Sequence, residues 1–362
     1  MKRTLMSMIA LMVALIVTGQ SCVSFGAGKK NTSLGPAGAW VTTENGEAWT
    51  QIVSVPTAEG VQKIPNAEVF RFIDDPQDPR AFYWASREHG LLYTYDDGKT
   101  WSRSAAPLNA GLIQNLSVHP TDKCTIFVTN ARQLYKTTDC ARTWTELYRE
   151  GRTQYIITSV AVNPFNTSQV FAATSAGDLL SSVDGGNSWS VSARFSNANI
   201  REIYFDTNKQ GLMYLTTRAS GLYRSRDTGL SWENLAKKFS DYAGALQYQR
   251  FVIYPAKAEQ IYWVSKYGIL TSRNAGEDWE PIPLVTPPGS VSIYGFGINP
   301  RNDKELYYTG TIGDRSTFYR SVDGGITWET RKLPTQQIPT ALRVHPANSG
   351  WIYLGFTMAV KS

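Results

Sequence analysis

Ser182-Val183-Asp184-Gly185-Gly186-Asn187-Ser188-Trp189 is the stretch on which the fold turns. A carboxylate followed two residues later by glycine is hairpin-turn chemistry. The acid accepts from nearby backbone N–H groups, and the glycine takes a positive φ. The Ser182 hydroxyl can join the same network, and Trp189 opens the next strand and covers the turn with a large apolar surface. The acid is committed to the backbone, so the octapeptide reads as a folding staple and not as catalytic machinery.

The pattern Ser/Thr-x-Asp-x-Gly-x-Thr/Ser-Trp recurs along the chain. Near-complete copies begin at Thr94 (Asp96, Gly98, Trp101), Ser182 (Asp184, Gly186, Trp189), Ser225 (Asp227, Gly229, Trp232) and Ser321 (Asp323, Gly325, Trp328). Degenerate copies begin at Thr42, with Glu44 for Asp, at Thr137 (Asp139, Trp144), with Ala141 for Gly, and at Ser272 (Gly276, Trp279), with Asn274 for Asp. Successive starts lie 52, 43, 45, 43, 47 and 49 residues apart, and seven of the 11 tryptophans hold the last position, a register that chance does not produce. Around each copy run four short alternating segments, as in Ile157–Ser192, split by Asn-Pro, Ser-Ala-Gly and Asp-Gly-Gly punctuation. A four-stranded unit at this period is a propeller blade, because it cannot bury both faces alone. The last unit runs through Thr340–Pro346 and Trp351–Thr357 and stops at Ser362, where a box would begin; Ala39–Ile52 supplies what is missing. The expected fold is therefore all-β, a seven-bladed β-propeller of four-stranded antiparallel blades over residues 39–362. It is closed by the N-terminal strand pairing with the C-terminal blade, which removes exposed sheet edges.

Composition agrees with one aromatic-rich globular domain: 42% hydrophobic, 12% aromatic and 18% charged residues in 362. The net charge of +6 is modest, and no dense Lys/Arg run argues for nucleic acid as a partner. Lys2, Arg3 and the apolar Leu5–Val17 make residues 1–21 a signal peptide. Cys22 then resembles a bacterial lipoprotein acylation site, although Gly19 and Gln20 depart from the usual residues there. Residues 22–38 are expected to be the lipid-anchor Cys and a flexible tether. The expectation is an extracytoplasmic, membrane-anchored lipoprotein, monomeric; the alternative is a secreted or periplasmic form.

The repeat, with Leu-Tyr-x-Ser/Thr leading into the boxes at Thr137 and Ser225, resembles the Asp-box (BNR) repeat superfamily over Ala39–Ser362. That superfamily includes sialidases, xyloglucan-type glycoside hydrolases, the sortilin receptor ectodomain and the photosystem II stability/assembly factors. The resemblance implies the fold and leaves the activity open. Sialidases use an arginine triad, a Tyr with a supporting Glu, and an acid Asp introduced by Arg-Ile-Pro; the nearest string here is Lys63-Ile64-Pro65. Xyloglucanases usually span two propellers, and this chain has repeats for one. Length, single ring and leader look most like stand-alone bacterial proteins similar to the photosystem II assembly factors.

Strand order assigns the loops to faces. Boxes and first turns share the bottom; the loops between second and third strands, and between blades, share the top. Cys124 and Cys140 then lie on adjacent strand ends at the bottom, where a disulfide is sterically reasonable. The top loops carry Arg87, Arg132, Arg218, Lys266 and Arg315, with Arg152, Arg194, Arg201, Lys237 and Lys238 between blades. Such a face suits an anionic, carbohydrate or protein ligand; the plainer reading is ordinary solvated loop charge. His89, His119 and His345 are dispersed, and no metal-spacing cluster, nucleophile motif or phosphate loop appears, so no catalytic residue, metal or cofactor is expected. Glu202, Asp206, Asp241 and Asp314 show no convincing partner in sequence. The leading expectation is a non-enzymatic binding or assembly protein using the top face; the alternative is a carbohydrate-active hydrolase with a site at the funnel.

Overall fold

The computed structural model describes residues 34–196 and 198–359; the expected signal peptide, Cys22 and most of the expected tether lie outside them. Seven four-stranded antiparallel sheets form the blades, and a two-stranded hairpin, Ser54–Thr57 with Gly60–Lys63, is added between the seventh and first. Blade 1 runs Val69–Asp74, Phe82–Ser86, Leu91–Thr94 and Ser102–Arg103 from the axis outward. Blade 7 combines both ends of the chain: Ile338–Val344 and Ile352–Thr357 pair onward to Gly38–Thr42 and Thr50–Gln51. The ring thus closes by ordinary strand pairing, with Trp40 opposite Leu354. Residues 34–38, which the sequence reading leaves in the tether, pack on this blade: the carbonyls of Leu34 and Gly35 accept from Thr335, Gln336 and Gln337, and Ala37 is buried.

Strand alternation makes the ring. In Phe82-Tyr83-Trp84-Ala85, Phe82 and Trp84 face blade 7, packing with Tyr353, whereas Tyr83 and Ala85 face blade 2, packing with Leu116 and Val128. The same alternation gives one buried cluster at each of the seven blade junctions. No blade has a core of its own, so the interfaces between blades carry the hydrophobic stabilisation.

The boxes fold as the chemistry requires, with one addition. Ser182 Oγ donates to Asp184 Oδ1 at 2.7 Å, the Gly186 N–H donates to Ser182 Oγ at 2.8 Å, and the N–H and hydroxyl of Ser188 donate to the two Asp184 oxygens at 2.9 and 2.6 Å. These bonds hold the carboxylates of Asp139, Asp184, Asp227 and Asp323 well below the ordinary range, Asp227 and Asp323 at about 2. The addition is that the residue before the Gly is left-handed too: Asn45, Asp97, Cys140, Gly185, Thr228, Ala275 and Gly324 have φ between 55 and 81°. In six blades the N–H of this residue donates to a carbonyl of the turn between first and second strands, as in Gly185 to Ser168 and Thr228 to Gly211, and in blade 6 Gly324 donates to Lys304 at the start of the second strand. In blade 2 the two residues so joined are Cys140 and Cys124, and they are disulfide-bonded. The disulfide thus covalently reinforces a contact that the other blades make by hydrogen bond alone.

Degenerate boxes differ in how much they lose. The Ala141 box keeps its whole network, with Thr143 N and Oγ1 on Asp139 at 2.9 and 2.6 Å. A glycine there is normally demanded by the preceding blade, because a Cβ on Gly186 would lie 2.7 Å from Leu147 Cδ1 and one on Gly325 2.3 Å from Ile282 Cγ2. Ahead of Ala141 the equivalent position is Ser104, whose small side chain accepts from Trp144 Nε1 at 2.9 Å. The Asn274 box reverses one bond: Asn274 Nδ2 donates to Asp278 Oδ2 at 2.8 Å. The Glu44 box retains the Thr42 hydroxyl contacts and has Ala48 where a hydroxyl should stand.

Candidate functional site

The innermost strands are apolar runs interrupted by a few charges: Val69-Phe70-Arg71, Ile200-Arg201-Glu202 and Tyr248-Gln249-Arg250. Six of the seven carry a register shift at this level, at Val69/Arg71, Ile157/Ser159, Ile200/Glu202, Tyr248/Arg250, Ile293/Gly295 and Pro339/Ala341. A β-bulge re-aims side chains, and here bulges recur near the strand starts, at the end of the channel where chains enter from the top loops.

At this level Arg71 of blade 1 reaches across to Glu202 of blade 4, Nη1 to Oε2 at 3.0 Å. Glu202 also accepts from the Tyr204 hydroxyl at 2.6 Å and the Tyr248 hydroxyl at 3.2 Å. Arg250 donates to the Gln249 carbonyl at 3.0 Å and to the Thr340 carbonyl of blade 7. Burial alone would raise the Glu202 carboxyl, but Arg71, the Tyr204 hydroxyl and Arg250 outweigh it and hold the group below its usual range. Burial and the Glu202 charge push the Tyr204 hydroxyl well up. The channel is therefore spanned near its upper end by a charged cross-brace with two guanidinium groups and one ionised carboxylate.

Phe70 links this brace to the rim, with the Arg71 and Arg87 guanidinium groups 5.0 and 5.2 Å from its ring centroid. Beside Tyr248 a polar cleft of about 330 Å3 opens between blades 5 and 6, lined by Gln247, Gln249, Lys266, Ser290 and Ser292.

The five basic residues singled out from sequence fare differently. Arg87 joins the cluster through Phe70, and Lys266 lines the cleft. Arg132 is spent on the carbonyls of Arg152 and Tyr155, both at 2.9 Å. Arg218 and Arg315 are exposed beside second and third strands, one or two strand spacings from the axis. Among the interblade residues, Arg152 is neutralised by Glu150 and Asp178. The centre is instead built from Arg71, Glu202, Tyr248 and Arg250, which loop-based reasoning passed over. Their signal was a charge inside an otherwise apolar innermost strand. Glu202, seen in sequence as an acid without a partner, has Arg71; Asp206 is a turn acid that accepts from the Asn208 and Glu259 N–H groups. No group of three or more His, Cys, Asp or Glu side chains suited to a metal exists among the described residues.

Comparisons with known proteins agree with this architecture. The family model for sortilin (neurotensin receptor 3) matches residues 37–175, and that for the BNR/Asp-box repeat matches residues 319–330. The xyloglucanase Xgh74A of Acetivibrio thermocellus is 22% identical over 282 residues, 71% of this chain and 30% of that protein. The chain thus spans under a third of this relative. Among solved structures, the GH74 xyloglucanase from Xanthomonas campestris superposes with a TM-score of 0.60 at 17% identity, over 80% of this chain and 51% of that one. The structure of YCF48 bound to D1 peptide gives 0.59 at 14% identity, over 84% of this chain and 96% of that one. With seven boxes at seven equivalent corners of a closed ring, the chain is a seven-bladed β-propeller with Asp-box repeats, similar to the sortilin and BNR/Asp-box families over the residues matched.

Proposed function

We propose that this propeller is a binding or assembly protein held outside the cytoplasm by lipid on Cys22, and that the mouth of its channel receives an anionic segment of a protein partner. One observation carries the reading: at the axis two arginines surround a single carboxylate that is already paired. Hydrolysis by two carboxylates needs an acid that keeps its proton near neutral pH, and Glu202 is held in the opposite direction. Arg250 donates only to carbonyls, Arg201 is exposed with no carboxylate partner among the described residues, and Arg87 is offset by Glu68 at 3.6 Å, so net positive charge remains around the mouth, where a low-dielectric funnel strengthens attraction for carboxylates. A solved neighbour of the same fold and near-equal span holds a peptide, which supports a peptide-sized ligand here.

The test is capture of partners, or of an acidic peptide, by the ring lacking its leader, with Arg87, Arg201 and Arg250 changed together to Ala. Binding should fall at least tenfold and become less salt-sensitive; unchanged capture would sink the reading. Loss of radiolabelled palmitate incorporation in Cys22→Ala tests the anchor, and equal labelling would reject it.

A second reading rests on the Tyr204–Glu202 contact at 2.6 Å beside two arginines. A Tyr activated by a carboxylate next to carboxylate-binding arginines suits a sialidase-like hydrolase. Turnover of a fluorogenic sialoside that disappears in Tyr204→Phe would establish it in place of the binding role.

A further inference from the structure

On the bottom face, between blades 1 and 2, a cavity of about 240 Å3 is lined by Tyr93, Tyr95, Lys123, Cys140 and Arg142. Its origin is visible in the repeat. At two junctions the residue just before a box reaches the next blade's box. At the junction of blades 2 and 3 this residue is Lys136, which donates to the Gly185 carbonyl at 3.0 Å. At the junction of blades 4 and 5 it is Arg224, which donates to the Ala275 carbonyl at 2.9 Å. Blade 1 has Tyr93 at this position. Tyr93 packs instead on its own blade, 6.3 Å from Tyr83 and 5.5 Å from Tyr95 between ring centroids. The gap that Lys136 and Arg224 fill at those two junctions stays open here, with the Cys124–Cys140 disulfide fixing one wall.

The chemistry around the gap is specific. Lys123 and Arg142 make no ion pair with a carboxylate among the described residues, in contrast to Arg224, Arg320 and Arg343, each of which has an acidic partner. The box acid Asp139 is occupied by Thr137 and Thr143. Asp75, which lies behind the tyrosines, is buried and accepts from the Gln77 N–H. Two uncommitted cations beside two tyrosine rings form a cleft with a flat apolar side and a positive end. Its volume is below the usual range for drug-sized ligands and suits a single ring.

From this juxtaposition we infer that the junction of blades 1 and 2 is a second binding site, separate from the channel mouth, for a small aromatic carboxylate. The ring lies against Tyr93 and Tyr95, and the carboxylate meets Arg142 and Lys123.

The probe is 4-hydroxyphenylacetate, with its amide as the neutral control, titrated into the ring by calorimetry and by saturation-transfer NMR. Saturable binding is expected for the acid, weakened at least tenfold for the amide and for Arg142→Ala. The decisive variant is Tyr93→Lys, which copies the Lys136 arrangement and fills the gap. It adds a positive charge, so a merely cationic surface would bind the acid more tightly, whereas the inferred site would lose it. Circular dichroism of Tyr93→Lys confirms the fold, and Tyr95→Ala, which leaves the box network alone, gives an independent loss. Absence of saturation by about 10 mM acid, beyond even millimolar affinity, or equal binding by Tyr93→Lys, would overturn the inference.

Discussion

Replacing Gly186 by Ala tests the repeat logic most directly. Gly186 has φ 95°, and a Cβ there would lie 2.7 Å from Leu147 Cδ1 and 3.1 Å from a Phe127 ring carbon. The left-handed backbone costs a non-glycine residue about 1–2 kcal/mol, and overpacking against the preceding blade adds about 1–3 kcal/mol. The substitution should therefore destabilise by about 2–5 kcal/mol. Unfolding entropy is about 2.1 cal/mol/K per residue, so in a ring of this length each kcal/mol moves the midpoint by about 1.5 °C. A loss of about 3–7 °C is expected, read by tryptophan fluorescence during heating. The steric share should be recoverable, because blade 2 already carries Ala141 behind the small Ser104. Leu147→Ser alone should cost stability through lost burial, yet in the double variant the two effects should fall short of their sum by about 1–3 kcal/mol. Additivity within about 0.5 kcal/mol would refute the claim that glycine is required by the neighbouring blade and not by the turn alone.

Three further outcomes follow from named contacts. His345 Nδ1 accepts from the Ala347 and Asn348 N–H groups, both at 2.9 Å, so the neutral ring offers its Nε2–H to Asp97 at 3.0 Å; burial lowers its affinity for a proton. The unfolded chain then binds that proton more readily, so this contribution is complete above about pH 6.5 and is lost as pH falls toward the lower folded value; the wild-type minus His345→Gln difference in urea stability should shrink with acidification over that window. Reducing the disulfide, or changing Cys124 and Cys140 together to Ser, should cost about 2–4 kcal/mol for a loop of this size, measured by urea unfolding with and without reductant. Arg71→Met should be more destabilising than Arg71→Met combined with Glu202→Gln, because the single change strands a largely buried carboxylate; equal unfolding midpoints would contradict the cross-brace.

How much was legible beforehand depends on whether the information is local. Asp184, Gly186 and Trp189 make their turn within one octapeptide, so the box could be read residue by residue. The spacing of seven such boxes gave the number of blades, and the split last unit gave the closure. The left-handed residue before the Gly was missed because it is Asn, Asp, Cys, Thr or Ala in five of the seven boxes and Gly in only two. Its conformation is imposed by the hydrogen bond to the adjacent turn and not by its own preference. Ala141 departs from the box pattern; Ser104, 37 positions earlier by the numbering, shows why it is tolerated.

The candidate centre was hidden for the same reason in stronger form. Arg71 and Glu202 are 131 residues apart, and nothing in either strand announces the other. A search of loops for charge found Arg132, whose guanidinium is consumed by carbonyls, and Arg218 and Arg315, which lie outward of the axis. Local hydrogen bonding and hydrophobic alternation are properties of short segments, and these the amino-acid order determines by itself: boxes, strands, blades and their count. Which charges meet across the channel, and which junction is left with a gap, depends on winding seven units into a circle. Only closure brings side chains from distant blades within reach of one another, and it excludes enough water for their pairing to matter.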